Sequence, residues 1–225
     1  MNWLTDIRAV TFDAGGTLFE PWPSVGHVYS DVAAEHGWPG LSPANLNERF
    51  IAAWKSRGTF DYSRRAWAEL VDLTFAGLCD PLPSASFFDA IYDRFKRPDV
   101  WRVYDDVRSV LESLRAGGLK LAIISNWDER LGPLLDRLQL APFFEVITVS
   151  HFAGAQKPSA QIFMSTATQL ELAPKAILHV GDSEREDFNG ALAAGFRAAW
   201  LTRGAARAGP RGLQSLRELC PSENG

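Results

Sequence analysis

The sequence has few cysteines and no long apolar run. Two of its 225 residues are cysteine, Cys79 and Cys220, and they lie far apart. Because two cysteines cannot build a disulfide framework or a zinc site, we expect a reducing compartment. No segment approaches the roughly 18 consecutive apolar residues that a membrane-spanning helix requires, and the first residues lack the apolar run of a secretory signal. These absences favour a cytoplasmic protein without a membrane partner.

The chain also lacks an excess of positive charge. It carries 23 Lys and Arg residues against 27 Asp and Glu residues, which gives a formal net charge of −4. A chain with this balance does not attract nucleic acid or an anionic membrane surface strongly. We therefore expect no nucleic-acid partner and a small-molecule substrate instead. Nothing in the sequence indicates an oligomeric state.

Segments with strand-like and helix-like patterns alternate after residue 105. Apolar, β-rich runs predict strands at 119–125, 144–149, 176–181 and 197–201, and apolar residues at helical spacing predict the helices between them. A further strand is predicted at Ala9–Phe12. This alternation is typical of an α/β fold with a doubly wound, Rossmann-like parallel sheet.

Residues 19–104 follow a different pattern. They are rich in aromatic residues and proline, and their apolar residues recur at helical spacing, with no clear strand between them. We interpret this block as a helical cap domain inserted after the first strand. The core domain is then formed by residues 1–18 and 105–225.

The first predicted strand ends at a carboxylate. Asp13 follows the apolar run directly, and Gly15, Gly16 and Thr17 come soon after it. In open parallel sheets ligands bind beyond the carboxyl ends of the strands, so Asp13 lies where the chemistry of such folds takes place. An ordinary strand-end turn with a capping Asp is the alternative.

Polar residues also follow the next two predicted strands. Ser125 and Asn126 end the strand at 119–125, and their hydroxyl and amide groups suit an anionic oxygen. Lys157 precedes a helix that we expect Pro158 to begin, and the positive end of a helix also favours an anion. Taken singly, these residues are as well explained by a turn and a solvated lysine.

A pair of acids follows the strand predicted at 176–181. Asp182 comes at its end, and Asp187 lies about one helical turn further on. Beside Asp13, two such carboxylates would bind a hard divalent cation such as Mg²⁺. The alternative is a helix-capping Asp with acidic residues near the helix start.

Four loops carry these residues, namely the loops of Asp13, Ser125, Lys157 and Asp182. In this order along the chain, and with the helical insertion after the first loop, they resemble the loops of the haloacid dehalogenase superfamily of hydrolases. The resemblance covers nearly the whole chain. It implies that Asp13 is the catalytic nucleophile, Ser125 the hydroxyl of the second motif and Lys157 the lysine of the third. Asp182 and Asp187 then form the acidic fourth motif. The segments F-K-R-P-D-V-W, L-A-I-I-S-N-W-D-E-R-L and H-V-G-D-S are similar to haloacid dehalogenase-like domain-containing proteins of the rhythmically-expressed-gene type.

One position departs from the pattern of the phosphatases that the chain resembles. These read D-x-D-G-T, and their second Asp protonates the leaving group and then activates water, whereas this chain has Gly15 there. General acid/base catalysis contributes about 10²- to 10⁴-fold, so alkyl phosphates should be poor substrates. Phosphates with good leaving groups should be less affected.

The resemblance still implies a complete metal site. In the superfamily, the residue at the position of Gly15 contacts the metal through its backbone carbonyl, which Gly15 retains. Asp13, Asp182 and Asp187 would supply carboxylates for Mg²⁺. With Mg²⁺ and Lys157 offsetting negative charge, Asp13 would attack phosphorus to give an aspartyl-phosphate. The transferring oxygens would be held by Thr17, Ser125 and Asn126.

Two other functions stay open. The 2-haloacid dehalogenases of this superfamily also lack the second Asp, because halide leaves without a proton, and they need no metal. The acids at 182 and 187 favour phosphate chemistry over that alternative. A binding or regulatory module that keeps the fold and the metal site would also account for Gly15. None of the four histidines is assigned a catalytic role.

Overall fold

Six parallel strands form a sheet at the centre of the α/β part of the protein. The computed structural model describes residues 3–204 and 209–220 of the chain. In chain order its strands are β1 (Ala9–Phe12), β2 (Phe19–Pro21), β3 (Trp101–Val103), β4 (Lys120–Ser125), β5 (Val146–Val149), β6 (Ile177–Gly181), β7 (Arg197–Leu201) and β8 (Gly212–Leu213). The sheet has the order β5-β4-β1-β6-β7-β8, and its neighbouring strands run parallel.

The strand order confirms the predicted doubly wound sheet. The chain leaves β1, adds β4 and β5 on one side, and then crosses over to add β6, β7 and β8 on the other. Every residue of β1 is buried, because this strand is paired along both edges in the middle of the sheet. The carboxyl ends of β1, β4 and β6 therefore meet at one edge, where the strand order reverses.

Helices join the strands of the sheet. In chain order the α-helices are α1 (Val25–Glu35), α2 (Pro43–Ser56), α3 (Arg64–Phe75), α4 (Phe88–Arg94), α5 (Val107–Ala116), α6 (Leu131–Arg137), α7 (Ser150–Ala153), α8 (Ala160–Leu170) and α9 (Gly190–Ala193). Helix α8 buries Ile162, Phe163 and Leu170 in a core shared with Ile124 of β4. Each such side chain stabilises the fold by about 1.5–3 kcal/mol relative to its exposed state.

Some predicted element boundaries are wrong. The helix expected to begin at Pro158 begins at Ala160, because the Ser159 hydroxyl accepts the backbone N–H of Gln161 and caps the helix there. The last described element is a 3₁₀ turn at Leu216–Leu219, where the sequence also suggests a short helix. It follows β8, a two-residue strand that is too short to give an apolar pattern of its own.

The chain divides into two units. One consists of Met1–Phe19 and Val103–Gly225, and the other consists of Glu20–Arg102. The second unit begins and ends close to residues 19 and 104, between which the sequence indicates an insertion. The expectation that no strand lies in this block is wrong at its ends, because β2 and β3 pair there in a two-stranded sheet.

The second unit has a core of its own. Its helices α1, α2 and α3 each follow a serine whose hydroxyl accepts a backbone N–H, at Ser24, Ser42 and Ser63. Their buried faces form an apolar cluster that includes Leu46 and Phe75. Helical spacing of apolar residues thus produced helices with one buried face, as the sequence predicts. Within residues 3–204 and 209–220, no helix has the length and apolarity needed to cross a bilayer.

Candidate active site

Asp13 lies directly after β1 and is held by two side chains, one from the end of β4 and one from the loop between α7 and α8. The Ser125 hydroxyl donates to its Oδ1 at 3.0 Å, and the Lys157 ammonium donates to the same oxygen at 2.6 Å. All three residues are buried. The structure therefore brings together three of the predicted site residues, because β1 and β4 are neighbours and the segment after β5 reaches the same edge.

Lys157 lies between two carboxylates. Its Nζ contacts Asp13 Oδ1 at 2.6 Å and Asp187 Oδ1 at 2.5 Å. Burial alone would lower the pKa of Lys157, but the charges of Asp13 and Asp187 outweigh it and raise this pKa above its ordinary value. Lys157 is therefore a buried, permanently charged ammonium group.

Asn126 holds the backbone of Lys157 from both sides. Its Oδ1 accepts the Lys157 N–H at 2.7 Å, and its Nδ2 donates to the Lys157 carbonyl at 2.9 Å. The same Nδ2 donates to Glu186 at 3.2 Å. The amide that the sequence suggests for the transferring oxygens is thus engaged in positioning the lysine. The sequence does not distinguish Glu186 as a site residue, because it is one of several acids near the start of a predicted helix.

Three carboxylates converge at this edge of the sheet. Asp13, Asp182 and Asp187 each offer an oxygen, and these oxygens lie within 4.8 Å of one another. Asp182 as a whole is exposed, but the packing of protein atoms around its carboxyl group, with the charges of Asp13 and Asp187, raises its pKa to about 8. Burial, with the charge of Asp187, also raises the pKa of Asp13, despite the opposing effect of Lys157. The cluster has the hard oxygen donors that a Mg²⁺ site uses.

Two glycines allow these carboxylates to come close to the backbone. Gly16 has a φ of +77°, and a Cβ there would lie 2.4 Å from Asp182 Oδ2. At Gly181 a Cβ would lie 2.2 Å from Asp187 Cγ. Neither position accepts a side chain without moving an acid of the cluster. In the sequence, Gly181 is the residue between a predicted strand and Asp182, and Gly16 is one of two glycines that follow Asp13.

The space beside Gly15 is filled by an aromatic ring. A Cβ at Gly15 would lie 2.9 Å from Cζ3 of Trp127, a residue of the loop after β4. Trp127 is half-buried and also meets Phe19 edge to face, with 5.9 Å between the ring centroids. The backbone of Gly15 does not adopt the left-handed conformation that requires glycine. The indole, and not the backbone, excludes a larger residue here.

Thr17 lies in the same loop but makes no hydrogen bond to Asp13 in the part of the chain that the structure describes. Its hydroxyl is buried and has no hydrogen-bond partner there. Its carbonyl accepts from Arg203 Nη2 at 2.8 Å. Arg203 in turn donates two hydrogen bonds to the Asp106 carboxylate, at 3.0 and 3.1 Å. Arg203, in the segment that follows β7, thereby fixes the loop that carries Asp13, a contact that the sequence pattern did not indicate.

His179 joins the cluster from the middle of β6. Its imidazole is fully buried and lies 3.1 Å from Asp187 Oδ1 through Nε2 and 2.9 Å from Thr11 Oγ1 through Nδ1. Burial lowers the pKa of His179, although Asp187 acts to raise it. No catalytic role for this residue is expected from the sequence. A lone polar residue inside the run A-I-L-H-V-G was the signal that could have found it.

Comparison with known proteins gives concordant matches. Residues 7–195 match the family model described as haloacid dehalogenase-like hydrolase. The human haloacid dehalogenase-like hydrolase domain-containing protein 3 is 31% identical over 230 residues, which cover 97% of this chain and 89% of that protein. The phosphoglycolate phosphatase of Pseudomonas putida is 33% identical over 201 residues, which cover 88% of this chain and 70% of that enzyme. The crystal structure of a HAD phosphatase from Thermococcus onnurineus matches with a TM-score of 0.70 and 26% identity, covering 95% of this chain and 96% of that one.

Proposed function

Because this chain belongs to the haloacid dehalogenase-like hydrolases, we propose that it is a Mg²⁺-dependent phosphatase of small phosphorylated metabolites whose nucleophile is Asp13. The observation that carries the proposal is the buried Lys157 ammonium, held on Asp13 at 2.6 Å beside two further carboxylates. Relatives named as a phosphoglycolate phosphatase and a HAD phosphatase support phosphate as the group removed.

Asp13 would attack the phosphorus of the bound substrate. The bond from phosphorus to the leaving-group oxygen would break, and an aspartyl-phosphate would form on Asp13. Water would then hydrolyse this acyl-phosphate and restore the carboxylate. Ser125 and Lys157 fix one Asp13 oxygen at 3.0 and 2.6 Å, so the nucleophile is oriented before the substrate arrives. The Thr17 hydroxyl, which has no hydrogen-bond partner among the described residues, is available to a transferring oxygen.

The donors present fit Mg²⁺. Asp13, Asp182 and Asp187, with the carbonyl of Gly15, would hold the ion, which when bound supplies positive charge to the phosphoryl oxygens. Three carboxylates around one lysine leave an excess of negative charge, which a divalent cation would offset. Asn126, which is engaged with the Lys157 backbone, positions the lysine in this scheme.

The leaving group would receive no proton from residue 15. Gly15 has no acidic side chain, and Trp127 fills the adjacent space. We therefore assign to this site phosphates whose leaving group departs unaided, such as acyl or aryl phosphates. Alkyl phosphates, whose alkoxide needs a proton, would turn over slowly.

The experiment that tests the function is a paired release assay. Phosphate release from aryl, acyl and alkyl phosphates and halide release from 2-haloacids are measured with Mg²⁺ and with a chelator. We expect Mg²⁺-dependent phosphate release, fastest from aryl and acyl phosphates. Halide release that persists with the chelator would instead establish the dehalogenase alternative, with which Gly15 is compatible. Mg²⁺ binding without turnover of any substrate would establish a binding module.

Asp13→Asn checks the nucleophile. The amide cannot attack phosphorus but keeps the shape of the side chain, so we expect turnover to fall by at least about 10³-fold while the melting temperature stays close to that of the wild type. Steady-state assays and a thermal melt on the same preparation measure both. Activity within about tenfold of the wild type would remove Asp13 from this role.

A further inference from the structure

His179 connects the centre of the sheet to the Asp13 cluster. It is the middle residue of β6, and in the sheet register it lies directly opposite Thr11 of β1. Both residues are fully buried, and their side chains meet at 2.9 Å. Two polar residues therefore occupy matching positions in strands that are otherwise apolar. Burying them costs free energy unless their polar atoms are paired.

The hydrogen bonds determine which imidazole nitrogen carries the proton. The Lys157 ammonium, which can only donate, lies 2.5 Å from Asp187 Oδ1, and the backbone N–H of Ser183 donates to Oδ2 at 2.9 Å. Asp187 is thus an acceptor only, so His179 Nε2 is the donor to it. In the neutral ring Nδ1 is then an acceptor, and the Thr11 hydroxyl donates to it.

Asp187 is held by three donors from different parts of the chain. Its Oδ1 accepts from His179 at 3.1 Å and from Lys157 at 2.5 Å, and its Oδ2 accepts the backbone N–H of Ser183 at 2.9 Å. Without His179, one of the two donors to Oδ1 is lost, and that oxygen is fixed only by a flexible lysine side chain. The carboxylate and the ammonium group could then shift together, away from Asp13.

We propose that His179 is a positioning residue, which orients Asp187 so that Lys157 stays on the Asp13 carboxylate. The proposal rests on the proposed function, in which Asp13 is the nucleophile. His179 itself touches neither the substrate nor the reacting atoms. It acts through the continuous path Thr11, His179, Asp187, Lys157 and Asp13, whose contacts measure 2.9, 3.1, 2.5 and 2.6 Å.

Two substitutions separate positioning from simple core packing. The amide nitrogen of His179→Gln reaches about as far as Nε2 and can donate to Asp187, whereas that of His179→Asn ends near the place of Nδ1. We expect His179→Asn to lower kcat by about 10- to 100-fold with less than about a threefold change in KM, and His179→Gln to recover most of the loss.

Val180→Ala, which truncates the buried neighbour in β6, is the control for destabilisation and should lower the melting temperature without this loss of kcat. Equal kcat in the Asn and Gln variants would overturn the proposal.

Two further readouts do not depend on turnover. In ¹⁵N NMR of metal-free protein with labelled histidines, the His179 signal, identified by its loss in His179→Asn, should show a proton on Nε2. An unprotonated Nε2 would overturn the proposal. Titration calorimetry should show weaker Mg²⁺ binding in His179→Asn than in His179→Gln, by about tenfold or more. If the wild type released no phosphate, the proposed function would fail, and the calorimetric comparison would still decide the role of His179.

Discussion

The ring of Trp127 determines what residue 15 can be. In the sequence, Gly15 is a missing carboxylate, and the obvious experiment is to restore it. The structure shows that the position is occupied, because a Cβ there would lie 2.9 Å from the indole. A side chain at position 15 therefore needs a smaller residue at position 127, and a substitution of Gly15 has to be tested together with a substitution of Trp127.

Gly15→Asp alone should force the indole aside. We expect a loss of about 1–3 kcal/mol in the free energy of unfolding and no gain in activity. In Gly15→Asp with Trp127→Ala the carboxylate has room, and kcat/KM for alkyl phosphates should rise by about tenfold or more over Trp127→Ala alone, with little gain on aryl phosphates. Steady-state kinetics on both substrate classes and denaturant unfolding provide the measurements. A single variant that gains as much as the double one would show that Trp127 does not block the position.

Mg²⁺ affinity should depend on pH through Asp182. Its pKa is raised to about 8, so below pH 8 the protonated form predominates in the metal-free protein, and the metal must displace that proton. The apparent association constant should therefore rise by about tenfold per pH unit from pH 6 to 8 and level off above. Calorimetric titrations at each pH measure it, and Asp182→Asn, which has no proton to lose, should bind weakly with a flatter pH dependence. A flat profile in the wild type would contradict the raised pKa.

At the scale of elements, the residues at the carboxyl ends of β1, β4 and β6 were the part of the site that the sequence could predict. Each apolar run ends abruptly at a polar residue, and parallel strands bring those ends to one edge, so the meeting of Asp13, Ser125 and Asp182 followed from pattern and topology. The contacts of Asn126 with the Lys157 backbone did not follow. They depend on how two loops of irregular conformation pack, and no periodicity in the sequence reports that.

Asp106, the residue before α5, shows a similar limit. Its carboxylate accepts from Arg203, the Ser215 hydroxyl and the Leu216 N–H, and so ties three distant segments together. Burial acts to raise its pKa, but these hydrogen bonds and the charge of Arg203 outweigh it and lower the pKa. In the sequence Asp106 is only an acid near a helix start.

Asp106→Asn should lower the free energy of unfolding by roughly 3 kcal/mol at pH 7, because it leaves the Arg203 charge without its partner. A lowered folded-state pKa stabilises the protein above the unfolded pKa of about 4, and this stability is lost as the pH falls through the folded value. The difference between wild type and variant should thus be full above about pH 5 and shrink below about pH 4. Denaturant unfolding across pH measures it, with the exposed neighbour Asp105→Asn as the control. A difference that stays constant down to pH 3 would contradict the role of the charge.

At the scale of the whole molecule, a change in sequence character located the insertion. Aromatic residues and prolines replace the strand and helix alternation after residue 18 and give way to it again near residue 105. Two tryptophans of this block, Trp54 and Trp67, stack on each other with 5.7 Å between ring centroids, whereas Trp22 is exposed. The pairing of β2 with β3 was not predictable, because strands of three residues are shorter than any alternation that would reveal them.

Each unit has buried apolar side chains of its own, so damage to one core should stay largely within its unit. Leu46 of α2 is fully buried in the cluster that includes Val71 and Phe75. Leu46→Ala should cost about 2–5 kcal/mol, and hydrogen exchange followed by mass spectrometry should show lost protection in residues 20–102 while β1, β4 and β6 keep theirs. Mg²⁺ affinity should stay unchanged, because the three carboxylates belong to the other unit. Leu111→Ala, at a fully buried position of α5, is the matched control and should show the opposite distribution. Equal loss of protection in both units from either substitution would mean that the two cores unfold as one.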